Sequence, residues 1–243
     1  MEHRTRVVLQ VAALCLVLGL VLGAYGFAAD ADNAHLYIVN GVPGRDISKT
    51  LNPGYPIDVL VNGESCQSRG LTFGSSGLPL SFSAGTYDVE ISESNTLAPC
   101  TNPVVIDTQV TLAVGGNVSL VAAVSGGKPT PLQFNDNLTP VTAGNARFVF
   151  ANPADAPALQ ATLTQLNVKN GETFTVTANP GKQQGISIPG GTYSVQVVAV
   201  GQSTVLASEV ISLPDQSATF TYAAGQATDN VLALINRAVE GVF

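Results

Sequence analysis

One short pattern occurs twice in this chain. Leu80-Ser81-Phe82-Ser83-Ala84-Gly85-Thr86-Tyr87-Asp88-Val89-Glu90-Ile91 returns as Ile186-Ser187-Ile188-Pro189-Gly190-Gly191-Thr192-Tyr193-Ser194-Val195-Gln196-Val197. Each copy reads as an alternating strand, a glycine turn and a second alternating strand. Tyr87, Val89 and Ile91, then Tyr193, Val195 and Val197, share one face, and polar residues lie between them. The glycines are expected where a turn demands φ > 0. This predicts the central hairpin of a β-sandwich unit, present in tandem. Tyr87 and Tyr193 are then core residues of equivalent strands.

Around the pattern the rest of the chain falls into two matching series. In the first, strands are expected at 35–39, 56–63, 104–112, 117–124 and 132–134, with Asn62-Gly63 as a turn. In the second they are expected at 147–151, 159–166, 173–178, 205–213 and 218–222. The expected division is a first sandwich over 34–134, a linker over 135–145 containing Pro140 and Gly144, and a second sandwich over 146–243. The segment 231–239 has two readings. Thr228-Asp229-Asn230 could cap a helix, whereas the repeat predicts a strand, which we prefer. The fold expected is all-β: two tandem immunoglobulin-like or transthyretin-like β-sandwiches. Charged residues at only 11% of the chain and abundant Gly, Pro, Ser, Thr and Val agree with it.

The chain begins as an exported one does. Arg4 and Arg6 precede an apolar run over 7–27, and small residues follow at Ala28 and Ala29. Residues 1–29 are expected to be a signal peptide, with an uncleaved membrane anchor as the alternative, since the run is long enough to span a bilayer. Either way the remainder is placed outside the cytoplasm: secreted, periplasmic or on the cell surface. Once Cys15 is set aside with this segment, Cys66 and Cys100 remain. In an exported chain they are expected to form one disulfide, closing a loop of about 35 residues and stabilising the fold by roughly 3–4 kcal/mol.

Chemistry-bearing constellations are sparse. A net charge of −7 and ten Lys plus Arg residues argue against a nucleic-acid partner. His35 is the one histidine beyond the signal, and is read as a surface or edge residue. Gly74-Ser75-Ser76-Gly77 lacks the spacing of a nucleophile elbow. Asp88 and Glu90 alternate with core residues, and Asp155 and Asp215 fall in turns. No catalytic residue, cofactor or metal ligand is therefore expected. Calcium is the one ion considered, at Asp30, Asp32 and Asn33 or at Asn135, Asp136 and Asn137, with a solvated stalk and an Asx-rich linker as the preferred readings. Asn117-Val118-Ser119 and Asn137-Leu138-Thr139 have the form of glycosylation sequons. The long connections 41–55 and 63–77 are the expected recognition loops.

Several stretches resemble the exported bacterial family called domain of unknown function 4397. They are the junction Asn135-Asp136-Asn137-Leu138-Thr139-Pro140 through Ala143-Gly144-Asn145-Ala146-Arg147-Phe148-Val149, the turn Asn152-Pro153-Ala154-Asp155-Ala156-Pro157, the strand Ile57-Asp58-Val59-Leu60-Val61-Asn62-Gly63, and both Gly-Thr-Tyr stretches. The family's turn pattern is degenerate at 40–44, and its Asp-Val strand is blurred near 159–164. The resemblance implies a cell-envelope or extracellular module that binds or supports something and carries no transferable catalytic site. The functional expectation is a non-enzymatic structural, adhesive or ligand-binding module whose partner is an envelope or extracellular protein or glycan. Alternatives are a carboxylate-dependent hydrolase on the long loops, or an accessory subunit of an envelope assembly docking through a sheet edge.

Overall fold

The computed structural model describes residues 33–44, 55–169, 171–227 and 231–241. The apolar segment 7–27, the cleavage region, Asp30, Asp32 and most of the 41–55 connection lie outside the described residues. The elements described are all strands. The first series is β1 (Asn33–Asn40), β2 (Ile57–Val61), β3 (Ser65–Leu71), β4 (Ser75–Ser76), β5 (Leu80–Ser83), β6 (Gly85–Glu93), β7 (Val104–Leu112), β8 (Asn117–Ser125) and β9 (Lys128–Asn135). The second is β10 (Asn145–Ala151), β11 (Leu159–Gln165), β12 (Thr173–Ala178), β13 (Gln183–Pro189), β14 (Gly191–Ala199), β15 (Val205–Leu213), β16 (Ala218–Gln226) and β17 (Val231–Val239).

The two series have one topology. In the first, a sheet ordered β4-β1-β8-β9, with β5 also on β1, packs on a sheet ordered β3-β2-β6-β7; in the second the orders are β13-β10-β16-β17 and β12-β11-β14-β15. In each, the opening strand runs parallel to a late one, β1 with β8 and β10 with β16. The fold is thus all-β, with sheets paired in sandwich-like units. Leu36, Ile38, Val59, Ile91 and Leu120 fill the first core, and Phe148, Phe150, Leu163, Tyr193 and Val195 fill the second.

A third core lies between the sandwiches. Val39, Val121, Phe134 and Val141 from the first half meet Val149, Phe220, Tyr222 and Ile235 from the second. The sheets containing β8 and β16 are therefore covered on both faces, so β16 is buried along its whole length and β8 over most of it. This explains why Val118 to Val124 is apolar apart from the buried Ser119, and why Thr219 and Thr221 on β16 are buried along with the apolar residues between them. The connection from β9 to β10 is packed as well: Asp136 and Val141 are buried, and Arg147 donates to the Asn137 and Thr139 carbonyls at 2.9 Å each.

One expectation is corrected. The repeated stretch is a corner between sheets, where a hairpin was expected. β5 pairs with β1 while β6 pairs with β2 and β7; likewise β13 pairs with β10 while β14 pairs with β11 and β15. A single residue, Ala84 or Gly190, separates the strands, which is too few for a two-residue hairpin loop. Of the corner glycines only Gly191 has a positive φ, at 159°, while Gly85 and Gly190 do not. A side chain at Gly190 would be crowded, since a Cβ there would lie 3.3 Å from both Leu213 O and Asp215 N. The tyrosine closes the corner in each copy: Tyr87 Oη donates to Ser83 O at 2.8 Å and Tyr193 Oη to Pro189 O at 2.7 Å.

Elsewhere the expectations needed smaller changes. Asn62-Gly63 does turn with both residues at positive φ. Gly126-Gly127 forms another such turn, so β9 begins at Lys128 where a loop had been expected. The final segment is a strand, paired along β16 from Ala218↔Val239 to Gln226↔Val231.

Candidate functional site

Asp58 is the second residue of β2 and is fully buried. Its backbone alternation points it away from the Ile57, Val59 and Val61 core, under the segment that joins β6 to β7. The carboxylate accepts backbone N–H donors from Gly70 at 2.8 Å, Asn95 at 3.1 Å and Cys100 at 2.9 Å. Burial alone pushes this carboxyl up. The donors from Cys100, Gly70 and Asn95, with the Ser94 hydroxyl, outweigh it and hold Asp58 below the usual carboxylate range.

Asn95 organises the next turn. Its Oδ1 accepts from the Leu97 and Ala98 N–H groups at 3.1 Å each, and its Nδ2 donates to Thr101 Oγ1 and Asn102 Oδ1 at 3.3 Å. Asn102 Nδ2 in turn donates to Glu93 O at 3.1 Å. Cys100 sits at φ 61° and is bonded to Cys66 on β3. A buried carboxylate, an Asx turn and a cross-link thus restrain one short loop. At its tip Leu97 is 95% exposed, and Val104 and Val105 are exposed just beyond. The second copy has nothing comparable: Gln160 opposes Val198 where Asp58 opposes Ser92, and the β14–β15 connection is short.

A second polar cluster is buried between the sandwiches. Arg237 Nη2 on β17 donates to Asp136 Oδ2 at 2.5 Å, and Ser119 Oγ on β8 donates to the same oxygen at 2.8 Å. Tyr222 Oη on β16 donates to Ser119 Oγ at 2.6 Å. The guanidinium carbon lies 3.7 Å from the Tyr37 ring centre and 4.4 Å from that of Phe220. Burial pushes the Asp136 carboxyl up to about 6, against the opposing pull of Arg237 and Ser119. Burial and the Asp136 charge push the Tyr222 hydroxyl up to about 12. Of the residues considered for calcium at Asn135, Asp136 and Asn137, Asp136 is buried and its Oδ2 is engaged by Arg237 and Ser119. Ser119 is fully buried here, which gives that sequon serine a structural role.

The remaining candidates are scattered. His35 lies on β1, an interior strand paired on both sides, and its Nδ1 is 3.1 Å from Ser81 Oγ. Glu90 and Asp107 face each other across β6 and β7 on the outer sheet surface, and neither lines any of the three hollows described below. Asp88 accepts from Gln109 Nε2 at 2.8 Å, and Asp215 from the Gly144 N–H at 2.6 Å. The 63–77 connection, expected as a recognition loop, is largely strands β3 and β4. Among the described residues no group of three or more His, Cys, Asp or Glu is placed to hold a metal. The hollows measure about 390, 330 and 240 Å³; the first borders Asp136, the second lies over β10 and β13, and the third lies between β3 and the β4–β5 connection. The restrained loop was missed because its signal is distributed. Asp58 looks like any outward strand residue until the loop that covers it is in place.

Taken together, the fold defines a tandem β-sandwich protein with a disulfide-restrained loop on its first unit. Residues 34–162 match the family described as domain of unknown function 4397, and the chain belongs to that family. No curated protein matches it. Among solved structures it is similar to the Bacillus anthracis TIE protein, at 12% identity and a TM-score of 0.28 over 80% of this chain and 34% of that one. It is also similar to a candidate cell-adhesion protein from Bacteroides ovatus, at 10% identity and a TM-score of 0.28 over 86% of this chain and 96% of that one. A candidate cell-adhesion protein from Bacteroides fragilis gives 13% identity and a TM-score of 0.27 over 86% and 98%. The chain spans about a third of the length of the first of these.

Proposed function

We propose that this protein is an exported, non-catalytic binding module of the cell envelope or extracellular space, and that the loop carrying Leu97 is its recognition element. The observation that carries the reading is the contrast between Leu97 and what holds it. A leucine that is 95% exposed gains nothing from the fold. Yet the loop beneath it is fixed by Asp58, Asn95 and the Cys66–Cys100 bond. Restraining a loop before binding lowers the ordering cost of association, and a protruding apolar side chain on a rigid base suits a complementary apolar pocket. The loop itself bears no charge between Ser94 and Asn102, so shape and apolar contact select the partner, an envelope or extracellular protein. Export is supported by the basic and apolar residues 4–27 and by the disulfide.

The test is a capture from the native envelope with the wild-type protein and a Leu97→Ser variant as paired baits. A partner retained by the first and lost by the second supports the reading. Identical captures from both baits remove Leu97 from the recognition surface.

A further inference from the structure

We infer that the free edge of β13 is a self-association interface, at which two copies of this chain pair β13 with β13 in antiparallel fashion about a two-fold axis. The inference goes beyond the Leu97 reading and involves the other sandwich. Among the described residues β13 ends its sheet, with β10 on one side and no strand on the other. An unpaired edge exposes a row of N–H and C=O groups, and proteins commonly blunt such edges with charge, proline, bulges or short strands.

Apart from that of β12, the other edges of this molecule are blunted in those ways. β9 carries Lys128, Pro129 and Pro131. β3 carries Arg69, two register shifts and the disulfide, and β4 is only two residues long. β7 and β15 carry Asp107 and Glu209, and each strand has a register shift. β17 carries Arg237 and packs near β4 and β15. β13 has none of these devices. It runs Gln183 to Pro189 in unbroken register with β10, with no charged residue and its one proline at the last position. β12, beside it on the same flank, is also uncharged and regular. The contrast is internal to the duplication. In the first copy the equivalent edge is split into β4 and β5 by Gly77-Leu78-Pro79, whereas in the second it is one continuous strand.

The sequence of β13 also argues for a second copy as the occupant. Two-fold pairing sets a strand against itself, so any charge on it meets its like at close range. Gln183-Gln184-Gly185-Ile186-Ser187-Ile188 contains no such charge. Gln184 and Ser187 carry self-complementary donors and acceptors, while the Gln183 amide is engaged with Asn135 O at 2.6 Å. Gly185 leaves the centre of the strand open to a close backbone approach. On the outer face of the sheet, a hollow of about 330 Å³ over β10 and β13, lined by Arg147, Val149, Gly185 and Ser187, borders this edge strand. Pairing there would join two four-stranded sheets into one.

Sedimentation velocity of the full chain over a concentration series tests this. The wild-type protein is expected to dimerise, and Gln184→Lys, at an exposed position, to weaken association by roughly tenfold or more with an unchanged circular dichroism spectrum. An equimolar mixture of Gln184→Lys and Gln184→Asp is expected to restore the dimer, since in a pairing centred on Gly185 the opposite charges lie diagonally across the axis. The Leu97→Ser variant is expected to dimerise like wild type, which separates this inference from the recognition loop. A wild-type protein that stays monomeric, including one that takes up a foreign extended peptide at this edge, overturns the inference. So does a dimer indifferent to both Gln184 substitutions.

Discussion

Arg237 Nη2 donates to Asp136 Oδ2 at 2.5 Å across the junction of the two sandwiches, joining residues 101 positions apart. Around this pair Val39, Val121 and Phe134 pack on Phe220, Tyr222 and Ile235. The two copies are therefore joined by a core of their own. Gly41 marks how closely they approach, because a Cβ there would lie 2.7 Å from Ala224 Cβ.

The ion pair is expected to add little net stability. Arg237 Nε and Nη1 and Asp136 Oδ1 are buried without hydrogen-bond partners, so much of the desolvation cost is uncompensated. Arg237→Leu, which leaves the carboxylate buried alone, is expected to lower stability by about 3–5 kcal/mol in urea unfolding. The double variant Asp136→Leu with Arg237→Leu is expected to recover most of that loss. A double variant as unstable as the single one would show that the pair is net stabilising.

The same cost gives the protein a pH dependence. The folded Asp136 carboxyl titrates at about 6, above its ordinary 3.8, so the native state holds this proton more tightly than the unfolded chain does. Its contribution to stability is present in full below about pH 4 and is lost as pH rises through about 6. The difference of about two pH units corresponds to roughly 3 kcal/mol. Asp58 has the opposite sign, since its depressed pKa makes its contribution complete above the ordinary carboxylate range and lost on acidification below it. Chemical unfolding at steps from pH 3 to 7 checks both. Asp136→Asn is expected to flatten the profile between pH 4 and 6, and Asp58→Asn to flatten it below pH 4.

Reducing the Cys66–Cys100 bond is expected to lower stability by roughly 3–4 kcal/mol. It is not expected to release the loop fully, because Asp58 still receives the Asn95 and Cys100 N–H groups. Hydrogen exchange at these amides, and at Leu97 and Ala98, should rise modestly on reduction and strongly in Asp58→Asn. Equal exchange in both would mean that the disulfide alone orders the loop.

The repeat made most of this fold legible. Strand positions such as Val104–Leu112, Thr173–Ala178 and Val205–Leu213 follow from alternation and turn residues, which are local signals. What did not show was which sheet each strand joins. β5 and β6 read as a hairpin because alternation reports the faces of a strand and says nothing about its neighbours. The junction was opaque for a related reason. Asp136 reads as an Asx-rich linker residue and Arg237 as the polar side of a terminal strand, and only the packing of β8 on β16 brings them together. The loop carrying Leu97 likewise depends on Asp58, 39 positions away in sequence, being covered by it.

The corner tyrosines provide a comparison within one molecule. Tyr193 is fully buried and donates to Pro189 O, while Tyr87 is only partly buried and donates to Ser83 O at an exposed position. Tyr193→Phe leaves the Pro189 carbonyl short of a donor in a part-buried setting and is expected to cost about 1–2 kcal/mol. In Tyr87→Phe, water can replace the lost hydroxyl, and the expected cost is about 0.5 kcal/mol or less. Urea midpoints of the two variants, at unchanged slope, measure the difference. Equal losses would mean that the hydroxyl latch, independent of burial, sets the strength of both corners.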